Sequence, residues 1–285
     1  MTITPTDTLC QKTHTFKHAC EAFTPEVPEI SVVHERGRGI AWRIWPAAHI
    51  LVKWLGENKK LWLKPNTHVI EIGAGVGLVG VCCAAMGASR VTLTDLDEAL
   101  PALERTRESN VPDCMNRLHV ERLSFGSLED SVAVVAAASE AERARRPIVV
   151  GSDLVYFESL FAPLAECIAD LCSNHNAIVY LAYKKRIWRN EKRFFSKILP
   201  QHGLQATPVF ECTVDEEDGC SQHTDGRVVD NDEAEGWNSR IFKITKGADP
   251  VVPRAPVVVS VAAAPKRKAK KGKVPVSKEK QGRIR

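Results

Sequence analysis

Apolar residues recur at regular spacings from Ile30 onward. Ile30-Ser31-Val32-Val33 predicts a short strand. Pro46 then opens a segment in which Ile50, Leu51, Trp54 and Leu55 share one face at helical spacing, and a proline at the first helical position removes no hydrogen bond. An alternation follows. Short apolar runs predict strands at 68–72, 90–95, 117–124, 148–153 and 177–183. Between and after them, helical periodicity covers 77–87, 98–110, 158–174 and 186–200. In 158–174 the stripe is Leu160, Phe161, Leu164, Ile168 and Leu171. Strands separated by helices imply parallel pairing, because a parallel crossover needs a connection about as long as a helix. After residue 200 the alternation stops. Residues 205–211 and 240–245 read as two strands with no helix between them, an antiparallel hairpin at the sheet edge. The expected fold class is α/β: a doubly wound, mostly parallel seven-stranded sheet ending in that hairpin.

The remaining segments set the domain limits. Residues 1–28, with Pro5, Pro25 and Pro28, read as an irregular extension, and 29–247 as the folded domain. Residues 129–147 read as a loop or a short helix. Residues 211–236 carry ten acids and one Arg, the composition of a solvated loop. From 248 to 285 the chain is Pro, Val, Ala and Lys without periodicity, and disorder is expected.

Charge sharpens this division. Ten Lys and Arg fall in 261–285 beside a single acid, Glu279; of 39 basic and 35 acidic residues in all, 29 and 34 remain elsewhere, a net of −5. A mildly acidic folded part gives no general attraction to nucleic acid. No apolar run is long enough to span a bilayer, and Met1 to Cys20 lacks the apolar centre of a leader. A cytoplasmic protein is expected, with the basic tail as a candidate nuclear address. The nine cysteines include no C-x-x-C pair, so no metal site is expected.

Glu71-Ile72-Gly73-Ala74-Gly75-Val76-Gly77 follows a strand and opens a helix. Glycines there permit a tight turn and close approach of a ligand to the backbone, and the helix start offers free N–H groups. Gly75 to Gly80 matches G-x-G-x-x-G literally. In a dinucleotide fingerprint, however, the first glycine directly follows the strand. Here that residue is Gly73, and the third glycine position counted from it holds Leu78. E-x-G-x-G-x-G fits better. The next strand ends in Asp95, 18 residues after Gly77, where a carboxylate accepts ribose hydroxyls. Asp97 is the better candidate for starting the following helix. Leu96 would then touch an adenine, with Phe125 either on its other face or in the core.

Trp45-Pro46-Ala47-Ala48, Glu71 to Gly80, Asp95, Gly151-Ser152-Asp153-Leu154-Val155-Tyr156 and Leu181-Ala182-Tyr183-Lys184 resemble, in order and spacing, the methyltransferase-like 21 group. These are seven-strand protein-lysine methyltransferases. The resemblance implies S-adenosylmethionine as cofactor and a lysine of another protein as acceptor, with a chaperone or an ATPase as the target class. It implies a cofactor pocket of Trp45, Glu71, Gly73, Gly75, Asp95 and Phe125, to which Gly77, Leu96 and Ser152 are added. Asp153 and Tyr156 would face the lysine. A monomer is expected, without membrane or specific nucleic acid. Phe125 stands where the group usually has Trp, and the acidic insert and basic tail are additions. A nucleic-acid amino-methyltransferase would place two prolines where Leu154-Val155 stand. A histidine or other N-methyltransferase stays open, because it would share the cofactor half. A non-catalytic adaptor also stays open, although intact Glu71, the glycines and Asp95 count against it.

The chemistry constrains Asp153. A lysine of pKa ~10.4 is neutral only about once in a thousand near neutral pH, a cost of roughly 4 kcal/mol. A nearby carboxylate favours the ammonium and makes this worse. Asp153 is therefore expected to orient the amine by hydrogen bonding, with alignment supplying much of the catalysis.

Overall fold

The computed structural model describes residues 13–35, 39–212 and 238–247. Strand β1 (Thr13–Ala19) pairs antiparallel with β2 (Glu29–Glu35), Phe16 lying opposite Val32. This corrects the reading of 1–28 as irregular throughout. Phe16 and Ala19 are the only apolar residues of β1, too few to show a period, and its partner strand supplies the order.

The main sheet contains β3 (His68–Glu71), β4 (Arg90–Asp95), β5 (Leu118–Arg122), β6 (Ile148–Ser152), β7 (Ile178–Lys184), β8 (Leu204–Cys212) and β9 (Ser239–Lys246). Their order is β5-β4-β3-β6-β7-β9-β8. β3 to β7 are parallel, and β9 runs antiparallel between β7 and β8. The expected seven-stranded α/β sheet with its terminal hairpin is therefore present.

Successive residues of the central strands feed two separate cores, as the two-residue strand repeat requires. Val69, Val91, Val150 and Tyr180 pack with the helices Pro46–Glu57 and Leu78–Ala85. Ile70, Val149, Val179 and Leu181 pack with the helix Phe161–His175. β3 is flanked by β4 on one side and β6 on the other, so the winding reverses there. Crossovers leave opposite faces at this point, which opens a crevice beyond the carboxyl ends of the strands.

Residues 129–147 form more helix than expected. Leu128–Ala136 is capped by Ser127, and Glu140–Arg143 begins with a capping box of Ser139 and Glu142. The helix expected over 186–200 is present from Trp188 to Gln201 and carries one π-helical turn, Phe194–Ile198, within it. Asp97 does not start a helix. The helix after β4 begins at Leu100, and Asp97 instead pairs with Arg122 at 3.3 Å. The acidic insert beyond Cys212 and the 248–285 tail lie outside the described residues, among which no helix is long and apolar enough to cross a membrane.

Candidate active site

A cavity of 490 Å³ lies over the carboxyl ends of β3, β4 and β6. The first wall is the turn after β3. Gly73 and Gly75 both have left-handed backbones, at φ 58° and 57°. A Cβ on Gly73 would stand 2.6 Å from the Leu154 side chain, and one on Gly75 would stand 3.0 Å from the Ala41 carbonyl. The close approach expected of a ligand is thus made in part by the protein's own chain. Gly77, at φ 83°, starts the helix Leu78–Ala85 and faces Leu93 and Leu103 rather than the cavity. Gly80 is the closest-packed: a Cβ there would lie 2.3 Å from Leu93 and 2.7 Å from Glu71 Oε2. It lets the helix settle onto β4, the task of the last glycine in a nucleotide-binding turn.

Glu71 ends β3 beneath that helix, and its Oε2 accepts the Gly80 N–H at 2.7 Å. Burial pushes its pKa up to about 8, against the pull of the Gly80 and Val79 N–H groups. Asp95 ends β4 and reaches back to the turn. Its Oδ2 accepts the Gly75 N–H at 2.7 Å and its Oδ1 the Leu96 N–H at 2.8 Å. Burial raises its pKa, and these two donors oppose the rise. The carboxylate is fixed in orientation and keeps lone pairs toward the cavity. Leu96 and Phe125 line the cavity as apolar surfaces, Leu96 nearly half exposed. Phe125 also packs against the second core, so both of its expected roles are met geometrically. Trp45 precedes the helix Pro46–Glu57, and its indole N–H donates to the Ile40 carbonyl at 2.9 Å. The Arg43 guanidinium lies 4.1 Å from its ring centre.

The opposite wall follows β6. Ser152 lines the cavity, and the chain turns at Asp153, whose φ of 57° is left-handed for a non-glycine residue. Its N–H donates to the Ala182 carbonyl at 2.9 Å, which pins the turn to β7. Its side chain is 2% exposed. Oδ1 accepts from the Lys184 N–H at 3.2 Å and from Arg186 Nη1 at 3.1 Å. Oδ2 is buried and has no hydrogen-bond partner among the described residues. Tyr156 stands beside it, with its ring 4.5 Å from Phe157. Burial and then the Asp95 charge raise its pKa, while Arg186 lowers it.

Of the expected site residues, only Gly77 is absent from the lining. Sequence reasoning missed the 40–44 segment, Phe157 and above all Arg186. The last follows the C-terminal end of β7, a position where open α/β sheets bind ligands, and that was the available signal.

A family model described as lysine methyltransferase matches residues 25–201. The chain belongs to the lysine methyltransferase family. It is 35% identical over 176 residues to EEF1A lysine methyltransferase 3 of Mus musculus, covering 61% of this chain and 69% of that protein. It is 34% identical over 154 residues to the protein N-lysine methyltransferase METTL21A of Xenopus tropicalis, covering 53% and 64%. A third relative, the protein-lysine N-methyltransferase EFM6 of Saccharomyces cerevisiae (strain ATCC 204508 / S288c), is 27% identical over 189 residues, covering 60% and 75%. The family assignment makes this chain a protein-lysine methyltransferase with S-adenosylmethionine as cofactor. The residues present fit that cofactor. A preset carboxylate at Asp95 suits ribose hydroxyls, Leu96 and Phe125 suit a flat base, and the volume falls in the range of about 300–1,000 Å³ usual for small-molecule sites.

Proposed function

We propose that the Asp95 side of the cavity holds S-adenosylmethionine and that Asp153 and Tyr156 receive the substrate lysine. The observation carrying this division is the buried, unpartnered Oδ2 of Asp153, one wall away from Asp95 in the same cavity. A buried carboxylate oxygen without a donor is costly unless a ligand supplies one. Bound, the sulfonium supplies an electrophilic methyl group. The amine nitrogen would take that methyl group, with the S–C electron pair left on sulfur and the nitrogen's proton passing to water. Asp153 accepts one N–H of the amine and so aims its lone pair. Tyr156 walls the channel with its ring and offers its hydroxyl as a second polar contact.

EEF1A, carried in the name of one relative, is the first protein to test as substrate, with a chaperone or ATPase as the other expected class. We place the enzyme in the cytoplasm, with the basic tail as a route to the nucleus, and read it as a monomer. Asp153→Ala tests the division of the cavity. Calorimetry should find S-adenosylmethionine affinity retained while methyl transfer to protein is abolished. A variant that still transfers at the wild-type rate would remove Asp153 from the acceptor side.

A further inference from the structure

We propose that Arg186 is a positioning residue that cancels the charge of Asp153, so that the cavity receives the substrate lysine as a neutral amine. This rests on the acceptor role of Asp153 given above. The two Asp153 oxygens are not equivalent. Oδ1 is used by Arg186 Nη1 at 3.1 Å and by the Lys184 N–H at 3.2 Å, and Oδ2 is buried and left over. An arriving amine can donate one N–H to Oδ2 and keep its lone pair free. An ammonium has no lone pair to offer.

Charge decides which form is favoured. A lone carboxylate in a buried site stabilises the ammonium and raises the lysine pKa. The Asp153–Arg186 pair carries no net charge, and a guanidinium remains protonated at any working pH. The paired site therefore removes the attraction for the cation while leaving the hydrogen-bond acceptor in place. The position of Arg186 is built, not incidental. Its N–H donates to Glu191 Oε2 at 3.1 Å, as does the Ile187 N–H at 3.0 Å, and the Tyr183 hydroxyl bonds to the same oxygen. Glu191 is buried, so this turn is clamped from within. The Arg186 guanidinium also lies 5.6 Å from the centre of the Trp45 ring, which bounds its other side. The remaining charged or titratable groups lining the cavity are Tyr156, Asp95, Glu71, Glu98 and Arg43. Lys184 adjoins Asp153 through its backbone. Arg186 forms an ion pair with Asp153 at 3.1 Å.

The test compares wild type, Arg186→Gln and Arg186→Lys. Initial rates of labelled methyl incorporation are measured across pH at saturating S-adenosylmethionine. The acceptor is total protein from a lysate of cells lacking the enzyme. S-adenosylhomocysteine affinity is measured on each variant by calorimetry. Removing the cation leaves Asp153 uncompensated and raises the lysine pKa. The rising limb of the Gln variant should therefore move up by about one pH unit, a loss of about tenfold at a fixed pH on that limb. The Lys variant should keep the wild-type midpoint, and the affinity for S-adenosylhomocysteine should not move in either. A Gln variant that is slower at every pH with an unmoved midpoint would overturn the proposal, as would an equal shift in the Lys variant. A fall in cofactor affinity would overturn it too, by placing Arg186 in the other half of the cavity. A wild-type enzyme that labels no protein would instead remove the lysine-transfer reading itself.

Discussion

Glu71 joins the cofactor turn to the packing beneath it, and its burial has a thermodynamic consequence. An ordinary glutamate titrates near 4.5, and here burial pushes the group up to about 8. Between those values the unfolded chain has released a proton that the folded protein retains, so stability falls as pH rises. Below the window the group contributes no slope, and above it the loss is complete. Glu71→Gln keeps an acceptor for the Gly80 N–H and removes the titration. Melting temperatures of the free enzyme should fall from about 4.5 to about 8 more steeply for wild type than for Glu71→Gln. Parallel curves would contradict this. At this scale the sequence exposed Asp95 and Asp153, because the first ends β4 and the second directly follows β6, at carboxyl ends where ligands collect. Arg186 was legible only as a residue just past the carboxyl end of β7. Its role depends on the left-handed turn at Asp153 and on the Glu191 clamp, and neither leaves a periodic trace.

Among the elements, the contact between the helix Leu78–Ala85 and β4 is the most exacting. Alanine is intrinsically better than glycine in a helix by about 1 kcal/mol. Gly80→Ala should nevertheless destabilise the protein, by roughly 1–3 kcal/mol, because the added methyl would meet Leu93 at 2.3 Å and the Glu71 carboxylate at 2.7 Å. Urea unfolding measures this directly, and a variant as stable as wild type would show that the helix can shift without loss. The central parallel strands β3, β6 and β7 were readable because each is a short run buried on both faces, whereas β5 ends in exposed Glu121 and Arg122. β1 was not readable, since pairing with β2 orders it. The π-helical turn within 188–201 was hidden for a similar reason. Phe194 and Phe195 pack edge to face on each other, and Phe195 stacks on Phe242 of the distant β9, a tertiary demand that helical periodicity does not record.

Across the whole molecule, the reversal of winding at β3 gathers the ends of β3, β4 and β6 around one cavity, and residues that follow β5 and β7 complete its lining. The sheet closes at Lys246, before the basic tail begins. Deleting 248–285 should therefore leave cofactor affinity and melting temperature unchanged while reducing nuclear accumulation of a fluorescently tagged enzyme. A variant that melts many degrees lower would make the tail part of the fold, and one with unchanged distribution would remove its role as an address. The central claim is that this cavity methylates lysine in protein. Purified enzyme and methyl-labelled S-adenosylmethionine, incubated with lysate from cells lacking the enzyme, test it most directly when the labelled protein is hydrolysed and its amino acids are separated. The account predicts label in N-methylated lysine, present with wild type and absent with Asp153→Ala. Label in methylhistidine, in nucleic acid, or nowhere would contradict it.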